Sequence, residues 1–264
     1  MKKHYLCNIN TKPSIMKKIV IPFVLLLLIA YSCAPKDPNQ VDSKTYTLCD
    51  SVYLENEYEE GYSHYTTNID IPITKNETLR QSILHWMLSP ETEDYKTFLN
   101  DEMAQFFEEE GSEPRSEMEN NYTLSEQTDR YVTYTTEGFL YTGGAHPMPW
   151  YYGTTFSKID GSIVGYDMFN DPDELSEIIT THIRKQYIDN FDLVEEMFEL
   201  GDEDHFVLPE NEPWIETDSV VFCYQAYEIA PYAAGMPLCK ISKEDLWPYL
   251  SEKGKSLLNN TGDE

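Results

Sequence analysis

Basic residues are scarce in this chain. Its 264 residues hold 19 Lys and Arg against 47 Asp and Glu, a formal net charge of −28 at pH 7. A field of that sign disfavours nucleic acid and anionic lipid headgroups as partners, and it speeds encounter with basic proteins. Cysteine is sparse as well. There are five, with no Cys-x-x-Cys pair, and the six histidines show neither His-x-His nor His-x-x-x-His spacing. That inventory gives no zinc site. The acidic run Asp202–His205 lacks the glycine-punctuated loop and distant glutamate of a calcium site and reads as a solvated loop. Gly-x-Ser-x-Gly is absent, and no cysteine sits in a glycine-rich setting of the nucleophile kind. No metal, cofactor or catalytic residue is expected, and the reading leans away from an enzyme.

Long apolar runs are lacking too, with one exception. Ile19–Ala30 follows Lys17 and Lys18 and is too short for a comfortable membrane span. It ends Ile29-Ala30-Tyr31-Ser32-Cys33, small residues leading into a cysteine, as in a bacterial lipobox. Residues 1–32 are therefore expected to be a lipoprotein signal peptide, with cleavage before Cys33 and acylation of its thiol. Met16, just before the lysine pair, is a second candidate start. Residues 33–44, rich in Pro, Asp, Asn and Ser, read as a tether that lifts the domain off the membrane. Ala34 after the cysteine favours the outer membrane. The leader holds five lysines and no acid, so its removal leaves the remainder still more acidic.

Past the tether, alternating apolar residues predict strands at Thr45–Leu54 and Tyr65–Ile73. Helical spacing predicts Asn76–Leu88, with Thr74 and Glu77 as a capping box, and a second helix near Glu93–Phe107. Gly111–Glu119 reads as an exposed polar loop. Strands follow at Arg130–Leu140 and Trp150–Lys158, and Asp160-Gly161 fits a tight turn. Asn170-Asp171-Pro172 opens a helix to about Asn190, and an amphipathic piece, Asp192–Leu200, leads into an acidic loop, Gly201–Pro213. Val220–Tyr227 is apolar on both faces, as in a strand covered on both sides, and pairs across Pro231 and Gly235 with Met236–Ile241. Ser242 caps a short helix through Leu250. The fold class is α+β: mainly antiparallel sheet with packed helices, two α/β halves (45–140 and 141–252) in one compact unit, and a tail at 253–264.

Two motifs stand out. Tyr227–Gly235 reads YEIAPYAAG and Tyr141–His146 reads YTGGAH; Asp160-Gly161 and the aromatic-ended Tyr166–Phe169 lie between them. In order and spacing they resemble a bacterial family of extracytoplasmic domains. That family includes the sensor ectodomains of lysozyme-binding anti-sigma factors and accessory domains of some peptidoglycan deacetylases. The resemblance spans roughly Thr45–Leu250 and implies the fold more strongly than a ligand. Pro147 and Met148 depart from it, since relatives often continue with Gly after the histidine. No cytoplasmic segment accompanies the domain, so sequestration or inhibition of a lysozyme-like protein is expected rather than signalling.

The candidate ligand-binding residues follow from these motifs: Tyr141, Gly143, Gly144, His146, Trp150, Tyr227, Glu228 and Tyr232. His146 has two readings, a binding-site imidazole or a buried ring that holds a turn, and glycine geometry alone favours the second. Cys223 and Cys239 face each other if the hairpin is symmetric about Pro231, so a disulfide and two separate buried thiols are both open. The expected function is a membrane-tethered, non-catalytic binding domain of the cell envelope. Its partner is a basic protein such as lysozyme; a peptidoglycan or other glycan ligand, stacking on Trp150, Tyr151, Tyr152 and Tyr232, is the alternative.

Overall fold

Two fourteen-residue strands on either side of a short turn form the longest element pair among the described residues. β1 (Asp42–Glu55) and β2 (Glu60–Ile73) pair antiparallel over their whole length, from Asp42↔Ile73 to Glu55↔Glu60. The computed structural model describes residues 39–88, 94–189, 197–199 and 205–259. The expected signal peptide, Cys33 and most of the tether lie outside these residues, as does most of the Asp192–Leu200 piece. Where the tether was expected to end, Val41 is fully buried and β1 has already begun. The spacer is therefore shorter than its composition suggests.

Helix α1 (Glu77–Met87) is capped by Asn76, whose Oδ1 accepts from the Leu79 amide at 3.1 Å. This replaces the expected Thr74 box; an asparagine so placed satisfies an orphan amide directly. Asp94 caps α2 (Tyr95–Glu108) in the same way. β3 (Glu117–Gln127) then joins β2 in parallel, His64↔Glu117 through Ile69↔Tyr122. The last three residues of the predicted loop are thus strand, hidden because β3 carries polar residues on both faces. β4 (Tyr131–Tyr141), β5 (Met148–Ser157) and β6 (Ile163–Val164) complete an antiparallel meander, and the six strands lie in sequence order. The boundary expected at residue 140 falls where β4 pairs with β5, so the two halves share one sheet.

Register assigns each side chain to a face. Ile69, Tyr134, Val132 and Phe156 point to the side covered by α1 and α2, with Leu79, Ile83 and Leu99 packed on them. The other face stays open at one end and is covered at the other by a second sheet. That sheet is β7 (Trp214–Glu216), β8 (Ser219–Cys223) and β9 (Leu238–Ser242), all antiparallel. Two hydrogen bonds of 2.9 Å lock it on: Thr133 Oγ1 to the Ile215 carbonyl, and the Ile215 amide to Thr155 Oγ1. Around β8 a second core gathers Phe222, Tyr224, Ile229 and Ile241 with α3 (Leu175–Ile183). α4 (Lys243–Leu246) carries the predicted Ser242 cap, and α5 (Glu252–Leu258) buries Leu257 and Leu258 where a tail was expected. The architecture is α+β, with two mostly antiparallel sheets. Among the described residues no helix is long and apolar enough to cross a membrane.

The disulfide question is closed by register. Cys223 pairs with Leu238 and Cys239 with Phe222, one residue off symmetry about Pro231. A single-residue shift turns a side chain to the opposite face. Cys239 therefore lies in the core with Phe222, Cys223 lies against Trp214, and both thiols are free.

Candidate functional site

Both sequence motifs are turns, and they meet. The β4–β5 connection needs left-handed backbone at Gly143 and Gly144, with φ of 97° and 98°, and nothing crowds either α-carbon. These glycines therefore serve turn geometry rather than close approach. The Tyr141 hydroxyl donates to the Gly144 carbonyl at 3.1 Å and steadies the turn. Beyond it, His146 stacks on Tyr232 with ring centroids 3.6 Å apart and planes 15° from parallel. Its Nδ1 lies 3.1 Å from the Pro147 carbonyl, and its Nε2 lies 3.1 Å from the Tyr227 hydroxyl. A carbonyl can only accept, so Nδ1 carries the proton and Nε2 accepts from Tyr227. His146 is thus a half-buried latch between two loops 81 residues apart in the chain, with Tyr227 half-exposed beside it. Tyr227 itself has φ of 73°, a costly backbone for a non-glycine residue, held by its neighbours.

Both carboxylate oxygens of Glu228, an expected ligand-binding residue, bond backbone amides. Its Oε2 accepts from the Gln225 amide at 2.6 Å and its Oε1 from the Glu210 amide at 2.7 Å. Gln225, which the sequence reading missed, is the residue this turn presents. Its side-chain amide accepts from the Tyr151 N–H at 3.2 Å and donates to the Tyr151 carbonyl at 2.8 Å. One glutamine thereby stands in for a neighbouring strand on the β5 edge, which β6 pairs only at Thr155 and Phe156.

Beside this clamp the open sheet face holds a groove of about 350 Å³, lined by Glu119, Asn121, Glu137, Gly138, Phe139, Trp150, Tyr151 and Met236. Of these, Trp150 was named among the expected ligand-binding residues and Tyr151 as a stacking ring for a glycan. A relay of side chains fixes Glu119: Thr47 Oγ1 donates to Asn68, Asn68 to Asn121 at 2.8 Å, and Asn121 to Glu119 Oε1 at 3.0 Å. The Tyr151 hydroxyl is pushed up to about 12 by burial first, and then by the Glu216 and Glu137 carboxylates. Trp150 lies over Gly138, its ring 2.6 Å from where a β-carbon would sit, and its Nε1 points at Asn120 Oδ1. Among the described residues no three His, Cys, Asp or Glu side chains converge as a metal set would. Burial also pushes the Cys223 and Cys239 thiols up to about 12, so neither is a nucleophile near neutral pH.

Residues 166–244 match the family model described as "Protein of unknown function (DUF3298)". That span includes Tyr166–Phe169 and Tyr227–Gly235 but not Tyr141–His146. No curated protein matches the chain. Among solved structures, the chain is similar to a DUF3298 family member from Bacteroides fragilis, with TM-score 0.65 and 16% identity over 84% of this chain and 98% of that one. It is also similar to a DUF3298 family protein from Pseudomonas aeruginosa, with TM-score 0.55 and 19% identity over 80% and 96%. At such identities the likeness speaks for the fold.

Proposed function

We propose that this chain is an extracytoplasmic binding domain without catalytic activity, anchored by lipid at Cys33, and that its partner is a strongly basic protein of the lysozyme kind. The lipobox pattern supports the anchor and the envelope location. The resemblance to sensor ectodomains and to deacetylase accessory domains supports the partner class. One observation carries the reading. The latch His146–Tyr232–Tyr227 joins the two motif turns into a fixed surface beside a strand face that carries Glu119 and Glu137. A net charge of −28 steers a basic partner towards such a surface.

The glycan reading draws less support. Stacking a sugar chain needs several open ring faces, and three of the four rings named for it are engaged. Tyr232 is stacked on His146, Tyr152 forms a T-shaped pair with Trp86, and Trp150 lies over Gly138, which leaves Tyr151. Titrating the full-length protein with an animal-type lysozyme at low and physiological salt tests the proposal. Saturable binding at about micromolar Kd or tighter at physiological salt is expected, weakened about tenfold by Tyr232→Ala. Binding confined to low salt would be generic charge attraction, and that or no binding would overturn the proposal.

A further inference from the structure

The groove on the open face poses a separate electrostatic problem. Glu119 is half-buried with one oxygen held by Asn121, Glu137 is exposed, and neither forms an ion pair among the described residues. Removing a carboxylate partly from water without a cation is costly. The walls around the two acids are aromatic and apolar: Phe139, Tyr151 and Met236. A divalent metal fits poorly, since hard cations demand several oxygens, the Asn121 amide oxygen already accepts from Asn68, and the other flanking side chains are carbon, indole and phenol. A space of about 350 Å³ is also small for an oligosaccharide but ample for one long side chain.

We infer that this groove seats a single arginine side chain of the basic partner, its guanidinium between Glu119 and Glu137 and its plane against Tyr151 and Phe139. Two properties favour arginine over lysine. Its planar fork can bond a carboxylate through two N–H groups, and its weakly hydrated plane stacks on aromatic rings, whereas an ammonium is a compact, strongly hydrated charge. The site is also prepared in advance. Cross-strand register places Glu119 beside Phe139 and Glu137 beside Tyr151, so the four side chains lie on one rigid face of β3, β4 and β5. The Thr47–Asn68–Asn121 relay holds Glu119, and the Gln225 clamp holds the backbone at Tyr151. Little ordering remains to be done when the arginine arrives. This inference rests on the proposed basic partner, and it adds the residue by which that partner is recognised.

The test separates the two claims. The full-length protein, labelled with nitrogen-15, is titrated with the peptide Gly-Arg-Gly, with Gly-Lys-Gly, and with the peptide that carries neutral citrulline. The backbone amides of Gly138 and Phe139, which line the groove, are the reporters. Gly-Arg-Gly is expected to shift both saturably, with Gly-Lys-Gly weaker and citrulline inert; the double variant Glu119→Gln, Glu137→Gln should weaken the arginine peptide about tenfold or more. Asp101→Asn with Glu108→Gln removes the same charge from exposed positions of α2, across the sheet, and should change affinity less than about twofold. Equal response to arginine and lysine, or an unaffected double variant, would overturn the inference. Lysozyme titrated into the same variants separates the layers. Lysozyme bound equally by wild type and double variant removes the groove but leaves the proposed function. Arginine-peptide binding without lysozyme binding removes the function but leaves the groove.

Discussion

The two faces of the six-stranded sheet are built from the same strands and have opposite fates. Along β2, Ile69 and Tyr65 turn towards the helices and are buried, while Asn68 and Thr66 turn to the open face. The covered face is held by apolar burial against α1 and α2. The open face is held by a ladder of cross-strand side-chain bonds, Thr45 to Asp70 at 2.6 Å and Thr47 to Asn68 at 2.7 Å, which are exposed to water. The lesson is a division of labour. Stability resides on one face, so the other can carry acids and an unfilled groove without unfolding the domain.

This contrast can be broken deliberately. The largest effect is expected from Ile69→Ala, which should cost about 3–4 kcal/mol by leaving a cavity, while its neighbour Asn68→Ala should cost less than about 1 kcal/mol. Urea midpoints of both variants check this, and similar losses would mean the open face bears weight. Next comes Gln225→Ala, which removes both bonds to Tyr151. A loss of about 1 kcal/mol is expected, since water can replace them at a half-buried edge, together with faster amide exchange at Tyr151. Unchanged exchange there would deny the clamp. The smallest effect concerns the thiols of β8 and β9. With Cys7, Cys33 and Cys49 replaced by serine, the native protein should show no fast thiol reaction and the unfolded protein two thiols without any reductant. Finding none after unfolding would restore the disulfide. The pH dependence has a definite sign. The folded thiols sit near 12 against an ordinary 9.0, so the stability their burial contributes is complete below about pH 9 and is lost as pH rises from there towards 12. Urea midpoints should fall across that range, and less steeply once both thiols are replaced by alanine.

Much of the fold was legible where the signal is local. Alternation over Tyr65–Ile73, the Pro172 helix start, the Ser242 cap and the left-handed turn at Gly143 and Gly144 each depend on a few adjacent residues. β3 was harder to read, since Asn120 and Asn121 are polar on opposite faces and no alternation appears. Of the site, the two motif turns were visible and their residues were named as one candidate site, but the stacking of His146 on Tyr232 that joins them was not. Glu228 looked like a ligand group because a lone acid in a loop of tyrosines attracts notice; its two backbone partners are set by the turn it closes. Glu119 and Glu137 were hidden among 47 acids.

By itself the sequence determined the acidity, the α+β class, the absence of metal-binding spacings and the places where the chain must turn. Tertiary structure alone decided the rest. Parallel pairing of β2 with β3 brings Glu119 to the open face, a one-residue register choice parts Cys223 from Cys239, and the packing of one turn on another sets His146 on Tyr232. Each is a contact between segments far apart in the chain. Such contacts follow from which surfaces bury best together, and a local pattern holds no record of that.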